Sequence, residues 1–287
     1  MRARRSLIVA VLTVCAVLSS ALTASAAGAR LDYVALGDSY TAGPLIPLQR
    51  LDPLGCLRST SNYPAQLAAR LKVRTYTDVS CSGADTSDMT APQSVPLGTN
   101  PPQLNAVGAG TDLVTVGIGG NDYGVFGRII STCPGLRDSD PTGNPCQRHF
   151  TVEGVDTLKA AIAQTEDNIK AVLSTIHARA PHAQVLAIGY PRIGPATGTC
   201  PETLPLADGD YPWLNSVEEA LNEALADAAA ADGKTSYVDT FTPSLGHDAC
   251  SAEPWINGKD TLPYAAPYHP FFSGMAGVAG IIYATLR

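Results

Sequence analysis

A serine at the end of an apolar run, an asparagine behind two glycines and a histidine set against a proline are the side chains of this sequence best suited to acyl transfer. Gly37-Asp38-Ser39-Tyr40 follows the run Leu31–Leu36, so Ser39 is expected at the carboxyl end of a strand and at the start of the next helix. A helix N-terminus presents free N–H groups and partial positive charge, which stabilise a developing alkoxide and the oxyanion of an acyl-transfer intermediate. The same position also suits a serine that only caps a helix. Gly117-Ile118-Gly119-Gly120-Asn121-Asp122 closes a second apolar run. Its glycines permit a tight, unobstructed turn and the Asn121 amide can donate to an oxyanion, although G-G-N-D taken alone is an ordinary turn. Cys81-Ser82-Gly83-Ala84 ends a third, weaker run and offers the Gly83 N–H as another donor. Tyr268-His269-Pro270 precedes the last apolar helix; the proline stiffens the loop, and a rigidly held imidazole suits a general base. His149, His177, His182 and His247 are expected to be surface or hydrogen-bonded structural residues.

The elements that must position these groups alternate along the chain. Leu31–Leu36, Asp112–Ile118 and Ala183–Ile188 are short, almost continuously apolar runs, as buried parallel strands are, and Thr75–Ser80 and Ser236–Asp239 are weaker examples. Helical periodicity fills Tyr63–Leu71, Thr151–Ala178, Val217–Ala230 and Gly274–Leu286. Strand–helix alternation of this kind predicts an α/β domain with a parallel sheet covered on both faces. Four stretches, 44–61, 132–149, 192–211 and 241–268, read as irregular loops rich in Pro, Gly and Asp, each with at least one cysteine. Loops at one end of a sheet are where a substrate site is built. Leu45, Ile46, Leu48, Leu51, Leu54, Pro212 and Trp213 are expected there to form an apolar groove.

The N-terminus bounds the compartment. Arg2, Arg4 and Arg5 precede an apolar run from Leu7 to about Leu22 and then Ala24-Ser25-Ala26, the pattern of a signal peptide over residues 1–27. A membrane anchor is the alternative, but the run is short against the roughly 20 apolar residues of a span, and no stable membrane insertion is expected. Loss of that leader removes the three arginines and no acid from a chain of formal net charge −7. The mature protein is therefore more acidic still, which argues against nucleic-acid partners. Cys15 leaves with the leader, and the six remaining cysteines form an even set for an oxidising compartment. Three disulfides are expected; 15 pairings are open on sequence grounds, of which the nearest-neighbour set Cys56–Cys81, Cys133–Cys146 and Cys200–Cys250 would staple three long loops. No cysteine or histidine spacing suggests zinc.

In their order, Gly37-Asp38-Ser39-Tyr40, Gly83, Gly119-Gly120-Asn121-Asp122 and His269-Pro270 resemble the blocks of the SGNH (GDSL-type) hydrolases, and more narrowly the secreted actinobacterial lipases and esterases with three disulfides. The resemblance covers essentially all of the chain after the leader. It implies a flavodoxin-like three-layer α/β/α sandwich with a central parallel sheet, in a single domain over residues 28–287. It also implies Ser39 as nucleophile, His269 as base, an oxyanion hole from the Ser39 and Gly83 N–H groups and the Asn121 side chain, and no metal or cofactor. One position departs from the pattern: the family usually carries Asp three residues before the histidine, and here that residue is Ala266. The imidazole still needs an acceptor at Nδ1 to hold its tautomer. The Ala266 carbonyl is expected in that role, with Asp260 or Asp248 as the side-chain alternatives. No G-x-S-x-G elbow surrounds Ser39, which excludes the α/β-hydrolase arrangement. The substrate expected is a lipid or other acyl-chain ester, ahead of a phospholipid and then an acetylated carbohydrate, and the expected state is a monomer. A non-catalytic secreted binding protein of the same fold need not keep Ser39, Gly83, Asn121 and His269 together, and all four are present.

Overall fold

The computed structural model describes residues 30–287; the expected leader and Cys15 lie outside the described residues. Five strands, β1 (Asp32–Gly37), β2 (Thr75–Asp78), β3 (Leu113–Gly117), β4 (Gln184–Ile188) and β5 (Thr235–Val238), form one parallel sheet in the spatial order β2-β1-β3-β4-β5. That is the flavodoxin-like order, which reverses direction between β1 and β3 and opens a crevice at the carboxyl ends of those two strands. Among the described residues seven α-helices surround the sheet: α1 (Ser39–Ala42), α2 (Tyr63–Leu71), α3 (Val125–Arg137), α4 (Pro145–Phe150), α5 (Thr157–Arg179), α6 (Tyr211–Asp232) and α7 (Phe272–Thr285).

Alternation along β1 divides the core in two, because successive side chains of a strand point to opposite faces. Val34 and Leu36 pack with Ile169 and Leu173 of α5 and Leu221 and Leu225 of α6. Tyr33 and Ala35 pack with Tyr63 and Leu67 of α2 and Val278 and Ile282 of α7. The result is the expected three-layer sandwich in a single domain. All three disulfides join the expected partners, Cys56–Cys81, Cys133–Cys146 and Cys200–Cys250.

Two helical expectations are corrected. The long helix begins at Thr157 and not at Thr151, because Thr151–Val152 and Val155–Asp156 close a tight hairpin around Glu153 and Gly154, both at positive φ. Asp156 then caps the helix, accepting from the Leu158 and Lys159 N–H groups. Much of the stretch 132–149, read as loop, is helical in α3 and α4. Gly127, Pro134 and Gly135 disguise α3, but Val125, Ile129 and Cys133, four residues apart, form its buried row.

Candidate active site

The loops after β1 and β3 bring Ser39 and Asn121 to the two sides of the switch-point crevice. The Asp38 N–H donates to the Gly117 carbonyl at 3.0 Å, which joins the two strand ends directly. Asp38 is the N-cap of α1 and accepts from the Tyr40 N–H at 2.9 Å, leaving Ser39 as the first helical residue. Gly119 turns the second loop at φ +117, and a Cβ there would come within 2.9 Å of Thr165 Cγ2. The local backbone therefore admits little but glycine.

A buried relay fastens these loops together. The Tyr190 hydroxyl accepts from the Gly120 N–H at 3.0 Å and donates to Asp38 Oδ2 at 2.5 Å. Burial pushes the Asp38 carboxyl up to about 7, against the Tyr190 hydroxyl and the Tyr40 N–H, which favour its ionised form. Asn121 donates through Nδ2 to the Ala84 carbonyl at 2.9 Å. Asp122 accepts from the Thr86 N–H at 2.9 Å, from the Thr86 hydroxyl at 2.5 Å and from Asn168 Nδ2 at 3.0 Å. The loop carrying Gly83 is thus tied to the loop carrying Asn121.

His269 arrives from the C-terminal loop. The Tyr40 hydroxyl donates to the Tyr268 carbonyl at 2.6 Å, so the residue after Ser39 holds the residue before His269. Tyr268 sits at φ +59, a conformation that turns the chain sharply. The His269 ring lies 5.4 Å from the Tyr40 ring, and its Nδ1 faces the Pro267 carbonyl at 2.6 Å. The expected Ala266 acceptor is therefore corrected by one residue. The left-handed turn at Tyr268 swings the ring back over Pro267, while the Ala266 carbonyl accepts from the His269 N–H and from Asn257 Nδ2. A main-chain oxygen still faces Nδ1, which sets Nδ1 as the protonated nitrogen and leaves Nε2 with its lone pair. Burial lowers the imidazole pKa below its ordinary 6.5, opposed by the Pro267 carbonyl.

Neither acidic alternative reaches the ring. Asp248 Oδ1 accepts from the Cys250 N–H, and Asp260 accepts through its main-chain carbonyl from Asn257 Nδ2. Asp260→Asn and Asp248→Asn are each expected to retain kcat within about threefold. Loss of an acid that orients a catalytic histidine costs about 10⁴-fold, so steady-state kinetics on the two variants separates the cases.

Ser39, Asn121 and His269 line one cavity of about 120 Å³, which Phe126, Ile130 and Ile193 make apolar on one side. A second small pocket shares Phe126, Ile130, Ile193 and Tyr268 and continues to Leu206 and Leu214. Gly83 and Ala266 are not among the lining residues, and among the described residues the N–H groups of Ser39 and Gly83 have no protein acceptor. The expected leucine groove is also corrected. Leu48 and Leu51 are 74% and 79% exposed, Ile46 is in the core, and Trp213 stacks on Phe150 and donates to Asp156. The apolar wall comes from α3 instead, a helix that the sequence concealed. Tyr190 was equally missed, although Gly189-Tyr190-Pro191 follows β4 and stands at the same end of the sheet as the other loops.

The model of the GDSL-like lipase/acylhydrolase family matches residues 35–275. Lipase 2 of Streptomyces coelicolor is 44% identical over 244 residues, 81% of this chain and 79% of that protein. Two crystal structures superpose with a TM-score of 0.74: phospholipase A1 from Streptomyces albidoflavus NA297, 30% identical over 90% of this chain and 100% of that one, and an extracellular lipase from Streptomyces rimosus, 32% identical over 88% and 99%.

Proposed function

The chain belongs to the GDSL-like lipase/acylhydrolase family and is an ester hydrolase, and we propose that it is secreted and cleaves acyl-chain esters through an acyl-enzyme on Ser39. The observation that carries this reading is the sharing of one cavity by Ser39, Asn121 and a His269 whose Nδ1 is engaged by a backbone carbonyl. His269 Nε2 takes the Ser39 proton as Oγ attacks the ester carbonyl carbon. The Ser39 and Gly83 N–H groups and Asn121 Nδ2 stabilise the oxyanion that forms. Its collapse breaks the bond to the leaving oxygen, to which His269 returns the proton. Water, deprotonated by the same imidazole, then attacks the acyl-enzyme and frees the acid and Ser39.

The apolar wall of Phe126, Ile130 and Ile193 supports an acyl chain as the group received, and the pocket beyond it supports a chain longer than acetyl. Phospholipid is the second reading, favoured by the likeness to a phospholipase A1. Release of fatty acid from p-nitrophenyl esters, triglyceride and phosphatidylcholine, with an acetylated xylan as control, tests both. Turnover of the xylan alone would overturn them. Three disulfides and the leader pattern support secretion, and among the described residues no helix is long and apolar enough to cross a membrane.

The imidazole must be neutral to act as base, and burial favours that form. The rising limb of kcat/KM against pH is therefore expected below pH 6.5, with a plateau by neutrality. A midpoint above 7 in a pH series from 4 to 9 would assign the limb to another group.

A further inference from the structure

Tyr190 stands at the end of β4, outside the two loops that its hydroxyl joins. Its main chain is held from other elements. Asn222 of α6 accepts from the Tyr190 N–H at 2.8 Å and donates to the Tyr190 carbonyl at 3.2 Å, and the Thr240 hydroxyl donates to the Gly189 carbonyl at 2.6 Å. The buried ring meets the Tyr40 ring edge-on at 5.3 Å. It lies so close to Gly120 that a Cβ there would come within 3.3 Å of Cζ and of the hydroxyl oxygen. The hydroxyl is therefore fixed by groups that belong to neither the Ser39 loop nor the Asn121 loop.

What it meets is soft. Successive glycines at 119 and 120 let the peptide between them turn in several ways, and among the described residues the Tyr190 hydroxyl is the one acceptor of the Gly120 N–H. A hydroxyl has a single hydrogen; this one goes to Asp38 Oδ2, so the oxygen faces Gly120 as an acceptor. The bridge thus runs from the residue before Ser39 to the residue before Asn121. The direct tie between these loops, from the Asp38 N–H, ends at the Gly117 carbonyl, ahead of both flexible glycines. Asn121 Nδ2 gives one hydrogen to the Ala84 carbonyl and has a second for an oxyanion.

We propose that Tyr190 is a positioning residue whose hydroxyl sets the Gly119–Gly120 peptide and so holds Asn121 Nδ2 where the oxyanion formed at Ser39 will stand. This rests on the proposed part of Asn121 in the oxyanion hole and adds the group that aims it. Tyr190→Phe keeps the ring against Tyr40 and Gly120 and removes the oxygen alone. The Gly120 N–H then lacks its acceptor, and the peptide is free to turn.

The test measures kcat and KM on p-nitrophenyl butyrate for the wild type, Tyr190→Phe, Asn121→Ala and the double variant. Tyr190→Phe is expected to lower kcat about 30-fold, as misplacement of a donor does, with KM within about twofold because the Phe126, Ile130 and Ile193 wall is untouched. Asn121→Ala is expected to lower kcat about 10²-fold. Adding Tyr190→Phe to it should then cost about threefold or less, since no amide is left to aim. A merely structural Tyr190 would lower kcat by the same factor in both backgrounds. Should Tyr190→Phe fail to fold, Asp38→Asn takes its place: the side-chain oxygen keeps the cap on the Tyr40 N–H while an NH₂ replaces the acceptor of the Tyr190 hydroxyl. It is expected to show the same dependence on Asn121. A kcat within about threefold of the wild type, a loss carried by KM, or a loss equally large without Asn121 overturns the proposal. Full activity in Asn121→Ala overturns the reading of the oxyanion hole, and this inference with it.

Discussion

Ser39→Ala is expected to lower kcat on a p-nitrophenyl ester by about 10⁴- to 10⁶-fold and to abolish labelling by an organophosphonate ester, which the wild type takes up once per chain. The size of the loss follows from what is removed. On the proposed mechanism no acyl-enzyme forms without Oγ, and only the proposed oxyanion donors and the cavity remain to accelerate direct attack by water. The fold should barely register the change. Ser39 is buried, but among the described residues its hydroxyl makes no hydrogen bond, so alanine orphans no partner. The cap of α1 comes from Asp38, which is untouched. Thermal unfolding within a few degrees of the wild type, together with lost activity, assigns the effect to chemistry. Labelling that persists in the variant, or activity within tenfold of the wild type, sinks the assignment.

His269→Ala is the second large effect, a loss of about 10⁴-fold or more in kcat. It differs from the first in kind, because Ser39 stays in place and phosphonate labelling is expected to continue, far more slowly, at the same residue. Added imidazole should recover part of the rate if the space left by the ring admits it, since the proton acceptor is what has been removed. Loss of the pH-dependent limb below 6.5 is the accompanying sign, the titrating group being absent. A variant that keeps more than a tenth of its rate places proton transfer on another residue.

Much of this site was legible in the chain, for reasons particular to each residue. Ser39 and Asn121 follow apolar runs that read as buried strands, Gly83 follows a weaker run at the sheet edge, and in a parallel sheet the carboxyl ends of strands share one edge. Placing the runs therefore placed the loops. His269 was legible through Pro270 and the apolar helix behind it. Its partner was not, because which carbonyl meets Nδ1 depends on the left-handed turn at Tyr268, a conformation that tyrosine seldom announces. The acyl wall was hidden for a related reason. Gly127, Pro134 and Gly135 look like helix breakers, yet packing of Val125, Ile129 and Cys133 and the link from Cys133 to Cys146 outweigh that weak local preference in α3.

The sequence by itself determined the layers of this protein and the edge at which its chemistry stands, since apolar period and strand–helix alternation depend only on neighbours along the chain. It also carried the cysteine pairing as the simplest of several choices. Tertiary structure alone decided the Tyr190 bridge between Gly120 and Asp38, the Pro267 carbonyl at His269 and the place of Glu218 in the lining of the Ser39 cavity. Each of these joins groups far apart in sequence or turns on a single backbone angle, and such contacts exist only once the layers have closed around them.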